Sequence, residues 1–367
     1  MHIENWSLHF YELPYRQEVV WANAVETSGL YALLRLQGDD GSVGLAEGTI
    51  KATWSGVSPR SLKATFTDLL MPLLLGRDVS APGAISQVLA QIPENRLAKG
   101  MLESACWMLR VASQDLPLWQ FLGGRQQVSL TWTVTRQRPS VMARDAEAMV
   151  HEHGIHALKV KGGQGLTIDR DAIRRVRAAV GDAIILNVDA NSAYRPDEAA
   201  AYVSMLADEG VSVAEDPCPL QPDAAFEALQ RTAAIPILVD RSCTTASDAH
   251  LYLERGARAL SAKPGRIGMT EVLAINELAA QHGAQVATGI YAESALGSLI
   301  NLQQAAAVAP ALSLMPAEQM FFLTLTEQVI AQPIVIRQGH VELPADPEPD
   351  RWVDWDKVRR FGQHLGV

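Results

Sequence analysis

Between Met1 and about Leu36 apolar and polar positions alternate in short stretches, as in Leu30-Tyr31-Ala32-Leu33-Leu34-Arg35-Leu36, and the turn-rich GDDGS and the run VGLAEG follow. Successive side chains on a strand point to opposite faces, so this pattern predicts antiparallel strands joined by turns. The period then lengthens. From Pro59 to about Leu75, from Ala84 to about Ile92 and from Ala98 to about Ser113, apolar residues recur at three- and four-residue spacing, which predicts helices. Strands followed by helices make the first part of the chain an α+β unit.

From about Val128 the texture changes again. Short strand-like runs (SLTWTVT, ALKVKG, AIILNVDA, VSVAED, IPILVD, ALSAKP, QVATGI and, most weakly, ALSLMP) alternate with amphipathic stretches such as DAIRRVRAAV and TEVLAINELAAQHG. The runs return about every 23 to 30 residues, the length of one βα unit, which predicts a parallel α/β barrel. An open doubly wound sheet would ordinarily carry a GxGxxG turn after its first strand, and none follows SLTWTVT. From about Thr324 the alternation in QPIVIRQGHVELP and the helix-like DKVRRFGQHL predict a segment that leaves the barrel and rejoins the first unit. The expected organisation is residues 1–127, 128–323 and 324–367.

A barrel of this kind places its functional groups at the C-terminal ends of the strands. Reading the end of each run gives Lys159 and Lys161, then Asp189 with Asn191, then Glu215, then Asp240, then Lys263. Lys159 and Lys161 are two positions apart and share one face of their strand, so something strongly negative must sit opposite them. A single acid at a strand end reads as a helix cap or a loop carboxylate. Acids at the ends of three successive strands would repel one another without a cation, and a divalent metal resolves this. Oxygen ligands, with no histidine at these positions, suit Mg²⁺ or Mn²⁺ better than zinc. Lysines on either side of such a centre can deliver or remove a proton at the carbon next to a carboxylate, while the metal stabilises the enolate. The plainer alternative is a structural ion network in which the lysines only neutralise the acids.

Composition narrows the partners. At 367 residues, 48% hydrophobic and 20% charged, the chain reads as globular, and its formal charge of -10 disfavours nucleic acid. Cys106, Cys218 and Cys243 show no CxxC spacing, which fits a reducing compartment and no structural zinc. MHIENWSLHF has no basic region followed by an apolar run, and no segment approaches roughly 18 consecutive apolar residues. A soluble cytoplasmic protein with a small-molecule partner and no membrane contact is expected.

The ordered set LKVKGG, VDANSAY, AEDPCP, LVDRS and AKPGRIG, with GLAEGTIKATW, SGVSP and PLLLGRD before it, resembles the enolase superfamily, and within it the muconate cycloisomerase (mandelate racemase/muconate lactonizing enzyme) subgroup, over nearly the whole chain. The resemblance implies an α/β fold: a modified TIM barrel, (β/α)7β, under an N-terminal α+β capping domain. It implies Mg²⁺ on Asp189, Glu215 and Asp240, Lys161 as principal acid or base, Lys159 as its electrostatic neighbour, and Lys263 as the acid, base or cation of the opposite face. It also implies substrate contacts from Glu293 in GIYAES and from capping-domain loops around Trp54, and a homo-oligomer. Packing is the competing role for Trp54. Two departures stand out: Arg241 follows Asp240 where the subgroup carries Glu, and Ile290-Tyr291-Ala292-Glu293 is not the cycloisomerase run.

The resulting expectation is an isomerase or lyase acting on a small carboxylate or dicarboxylate, first a muconate-type cycloisomerase. N-acylamino acid racemase, o-succinylbenzoate synthase and epimerase are the alternatives, favoured by Lys263-Pro264-Gly265. A dipeptide epimerase fits less well, because no Asp occurs between Asp248 and Asp346. A non-catalytic binding protein that kept the barrel is the third reading.

Overall fold

In the computed structural model, which describes residues 1–21, 24–81, 83–363 and 365–366, the first unit is a three-stranded antiparallel sheet. Its strands are β1 (Ile3–Val20), β2 (Val25–Gly38) and β3 (Val43–Ile50). One face packs its alternating residues, among them Ala32, Leu34, Leu36 and Ala46, against the amphipathic helix Arg96–Ala112 and the helical run 59–74. The predicted 59–75 helix is real but widens to a π-helical stretch at Thr65–Leu70. The helix Arg96–Ala112 meets the barrel where Gly100 abuts Gly268. A Cβ on Gly100 would lie 2.8 Å from the Gly268 nitrogen, so only glycine permits this approach.

After β4 (Gln127–Ser129) come seven parallel strands: β5 (Trp132–Val134), β6 (Ala157–Lys161), β7 (Ile185–Asp189), β8 (Val213–Glu215), β9 (Ile237–Val239), β10 (Ala259–Ala262) and β11 (Gln285–Thr288). They pair in sequence order. The gap between β11 and β5 is closed by residues 312–317, the weak ALSLMP run. Leu314 bonds Val286 on one side, and Ala317 bonds Ser129 and Thr131 on the other. This segment makes isolated bridges rather than a full strand, which is why its pattern was faint.

Period two explains what the barrel interior contains. On the inward faces Ala157, Val213, Leu238, Ala259 and Ala287 form an apolar floor with Met315. Two and four residues further along the same faces stand Lys159 and Lys161, Glu215, Asp240, Ser261 and Lys263. The intervening residues, such as Leu158, Val160, Val188 and Val239, point outward into the layer beneath the helices. Strands β6, β8, β9 and β10 therefore change from apolar to charged as they rise toward one rim.

The C-terminal segment returns in two steps. β12 (His340–Glu342) pairs antiparallel with β4, and the helix Trp355–Gly362 then packs on β1, with the His9 and Trp355 rings 5.1 Å apart. The expected strand within QPIVIRQ is irregular chain, and His364 of the expected helical run lies outside the described residues. No helix among the described residues is long and apolar enough to cross a membrane, and all three cysteines are buried and unpaired.

Candidate active site at the barrel rim

Strand register brings the charged ends together. Lys161 is level with Asp189, Asp189 with Glu215, and Glu215 with Leu238, two residues before Asp240. The Lys159 ammonium, 1% exposed, lies 2.6 Å from Glu215 Oε1, 3.3 Å from Asp189 Oδ2 and 3.1 Å from Glu318 Oε1. Lys161 Nζ is 2.6 Å from Asp189 Oδ2. Four strands further round, Lys263 Nζ lies 2.5 Å from Asp240 Oδ2, with Arg266 3.6 Å from Oδ1. The three acids thus share one rim, but each is engaged by an ammonium, and Asp240 turns toward Lys263 rather than closing on the other two.

Their ionisation follows from this crowding. Burial opposes the charge on Lys159, but Glu215, Glu318, Asp189 and Asp240 outweigh it and hold the ammonium protonated well above its ordinary range. Burial also works to raise Asp189, yet Lys161 and Lys159 keep it below the usual carboxylate range. Lys263, Arg266 and Lys159 do the same for Asp240. Glu215 is pushed well above its ordinary value by burial and by Asp189. Asp216 rises to about 7 through burial, Asp240 and Asp189, while its carboxylate accepts the backbone N–H of Asp240 and Arg241.

Charge and hydrogen bonding test whether a hard dication suits these residues. Burial and Asp189 push Glu215 upward, and burial with Asp240 and Asp189 does the same to Asp216, so these carboxylates oppose one another's charge and lack the positive charge that would hold them all ionised. Asp240 Oδ1 is buried and has no hydrogen-bond partner among the described residues. Carboxylate oxygens with unmet charge and an unused acceptor are the donor set of a Mg²⁺- or Mn²⁺-class ion, so the residues fit.

A cavity of about 520 Å³ opens over this rim. Trp54, Lys161, Asn191, Asp240 and Lys263 line it. Asp189, Glu215 and Lys159 lie beneath its wall. Glu293 lies behind it, buried, accepting from Tyr291 N and Asn301 Nδ2, with its carboxyl raised to about 7 by burial. Asn191 donates to Asp189, 2.9 Å away, and so braces that acid as well as lining the cavity. Trp54 belongs to an aromatic roof: Trp21 and Trp54 from the first unit meet Phe321 and Tyr291 from the barrel at ring separations of 4.9 to 5.2 Å. Lys51 sits 4.3 Å from the Trp21 ring and 4.9 Å from that of Trp54, and bonds Glu26. Beneath the roof Glu47 accepts the Ser294 N–H at 3.0 Å and Tyr31 donates to the Ala292 carbonyl, joining the two units at the site.

The loops that carry these groups are strained. Asn191, Ser192, Asp216 and Ala292 have φ of 51, 62, 38 and 61°, a left-handed conformation rare outside glycine, and all follow barrel strands at this rim. Several contributors escaped the sequence reading. Glu318 follows the faint closing segment; Asp216 is the second acid of AEDP; Arg136 and Arg266 line the cavity and bond loop carbonyls. A charged residue just past the end of the first barrel run could have pointed to Arg136. The substituted Arg241 does not pair with Lys263, whose partner is Asp240; it is exposed on the cavity wall.

Residues 141–347 match the family model described as enolase C-terminal domain-like, and residues 13–123 match that of the mandelate racemase/muconate lactonizing enzyme N-terminal domain. The N-succinylamino acid racemase of Thermus thermophilus is 31% identical over 312 residues, 83% of this chain and 83% of that protein. Muconate cycloisomerase 1-2 of Acinetobacter lwoffii is 26% identical over 339 residues, 90% of this chain and 87% of the relative. The crystal structure of a muconate lactonizing enzyme from Mucobacterium Smegmatis, complexed with muconolactone, superposes with a TM-score of 0.92 at 24% identity, covering 98% of this chain and 99% of that one.

Proposed function

The chain belongs to the enolase superfamily, in the group of mandelate racemases and muconate lactonizing enzymes, and on that premise we propose that it moves a proton at the carbon next to a carboxylate, as a cycloisomerase of a muconate-type dicarboxylate. The observation that carries this reading is the placement of Lys161 and Lys263 on one cavity, four strands apart, each bonded to a different buried carboxylate. Asp189, Glu215 and Asp240 would hold Mg²⁺ or Mn²⁺, which when bound supplies the positive charge that an enolate needs.

Lys161, on the wall and bonded to Asp189, is the proton donor to the substrate carbon; buried Lys159 beside it favours the ionised form of Asp189 and Glu215 and holds both in place. Lys263 faces the substrate from the other side. The aromatic roof of Trp21, Trp54, Tyr291 and Phe321 excludes water over the reacting carbon, where charge interactions are then strong. A dicarboxylate has a second anionic group to place, and exposed Arg241 on the wall offers it a cation. Loss of the conjugated-diene absorbance of muconate, dependent on added Mg²⁺, tests the cycloisomerase. No turnover of muconate or its substituted forms would remove this substrate.

The second reading, a racemase of N-acylated amino acids, is favoured by the same two lysines, since racemisation needs a proton-transfer group on each face of one carbon. It is also supported by the 31% identity to the N-succinylamino acid racemase. Exchange of the α-proton of an N-succinylamino acid with D₂O, without diene chemistry, would select it. The same proposal places the chain in the cytoplasm as a homo-oligomer, which light scattering on the purified protein would test.

A further inference from the structure

We propose that the chain carries a second metal site, on the outer surface of the barrel, made by His250, Glu254 and His282 and suited to zinc or another late first-row dication. Among the described residues this is the cluster of histidine, cysteine and acidic side chains whose ligand atoms all lie within 4.8 Å of one another. His250 and Glu254 are four residues apart on the helix Ala246–Glu254 and therefore share a face, and His282 caps the neighbouring helix Met269–Gln281. Each helix runs back from the catalytic rim, so its C-terminal end lies at the opposite face of the barrel. The site is thus separate from the carboxylates described above.

Hydrogen bonding at His282 supplies the second argument. Its Nδ1 is 2.9 Å from the Leu278 carbonyl, and a carbonyl only accepts, so the ring hydrogen is on Nδ1. In the neutral ring Nε2 presents its lone pair toward Glu254 Oε1, 3.5 Å away. With the ring neutral, two electron-pair donors face each other there, and a dication can take the place that a proton on Nε2 would otherwise fill. Their separation is close to the edge of a tetrahedron built on bonds of about 2.0–2.1 Å, roughly 3.4 Å. A histidine whose other nitrogen is fixed by a carbonyl is the usual arrangement of a metal ligand. The His250 ring, 6.2 Å from that of His282, brings the third donor. Arg255, next in the chain, pairs with Glu227 and leaves Glu254 to the histidines. Two imidazoles and one carboxylate favour zinc, cobalt or nickel over magnesium, and three ligands leave positions for water. Bound there, the ion would tie the C-terminal ends of two adjacent helices together.

The test is a titration of the purified full-length chain with Co²⁺ and Zn²⁺ while Mg²⁺ is kept in excess. The expected result is one equivalent bound with the visible bands of four-coordinate cobalt and a rise in melting temperature, with affinity falling at least about tenfold in His250→Ala and in His282→Ala. Because both side chains are on the surface, Mg²⁺-supported activity should not change in either variant, and Glu254→Gln should weaken binding in the same way. Equal zinc and cobalt binding by wild type and both histidine variants would overturn the proposal. So would a His282 Nε2 that, by ¹⁵N NMR, carries a proton and keeps it when zinc is added.

Discussion

Replacement of Lys159 by methionine probes the site most sharply, because methionine keeps most of the buried volume and removes only the charge. Lys159 is the shared cation of Glu215, Asp189 and Glu318, all within 3.3 Å, and its side chain is 1% exposed. Removing one partner of such a buried ion cluster costs about 3–5 kcal/mol, since Glu215 and Glu318 lose their ammonium with no water to replace it and only Asp189 keeps one, in Lys161. With an unfolding entropy of about 2 cal/mol/K per residue, that loss lowers the melting temperature of the whole chain by about 4–7 °C. Calorimetry of wild type and Lys159→Met in chelator, then with rising Mg²⁺, reads the effect. The variant should melt lower in chelator and recover more than wild type as the dication is added, because the acids then regain a cation. Equal melting temperatures in chelator, or a deficit that Mg²⁺ leaves unchanged, would refute the view that these acids form a charged, cation-requiring cluster.

Other changes probe the scaffold and the roof. Gly100→Ala places a methyl against the Gly268 and Ile267 backbone at 2.8–2.9 Å and should lower stability by about 1–3 kcal/mol, read from the urea midpoint. Glu103, raised from 4.5 to about 7 by burial, binds a proton more tightly folded than unfolded, so stability should fall as pH rises from 4.5 toward 7, by about 3 kcal/mol in all. Glu103→Gln should flatten that slope, matching wild type near pH 4 and exceeding it at pH 8; parallel profiles would contradict this. Lys51→Met removes the cation between the Trp21 and Trp54 rings and should raise KM about 2- to 30-fold with little change in kcat, a split that steady-state kinetics on the active substrate resolves.

Periodicity made most of this molecule legible. Spacing of two separated the inward Lys159, Lys161, Glu215 and Asp240 from the outward apolar residues, and the regular return of strands implied the barrel that gathers them. The structure keeps all nine candidate side chains at or around one site but divides their surroundings. Five reach the cavity wall, three lie under it, and Glu293 is enclosed behind Asn301. That division depends on side-chain direction and loop conformation, which spacing does not encode. Glu318 was missed because the closing segment pairs through isolated bridges and so carries little strand pattern. The contact of Trp21 with Phe321 joins residues 300 positions apart, and no local pattern reveals such a roof. Arg241 was legible as a substitution, but its place on the wall, facing the cavity instead of Lys263, needed the fold.

Deuterium uptake from D₂O at the carbon beside a carboxylate, followed by NMR and mass spectrometry across a panel of dicarboxylates and N-acylated amino acids, addresses the proton chemistry whatever the overall reaction. The account predicts incorporation into product or recovered substrate for at least one of these acids, dependent on Mg²⁺ or Mn²⁺ and lost in Lys161→Ala. Incorporation that persists in the Lys161→Ala/Lys263→Ala double variant, or that occurs equally in chelator, would contradict it.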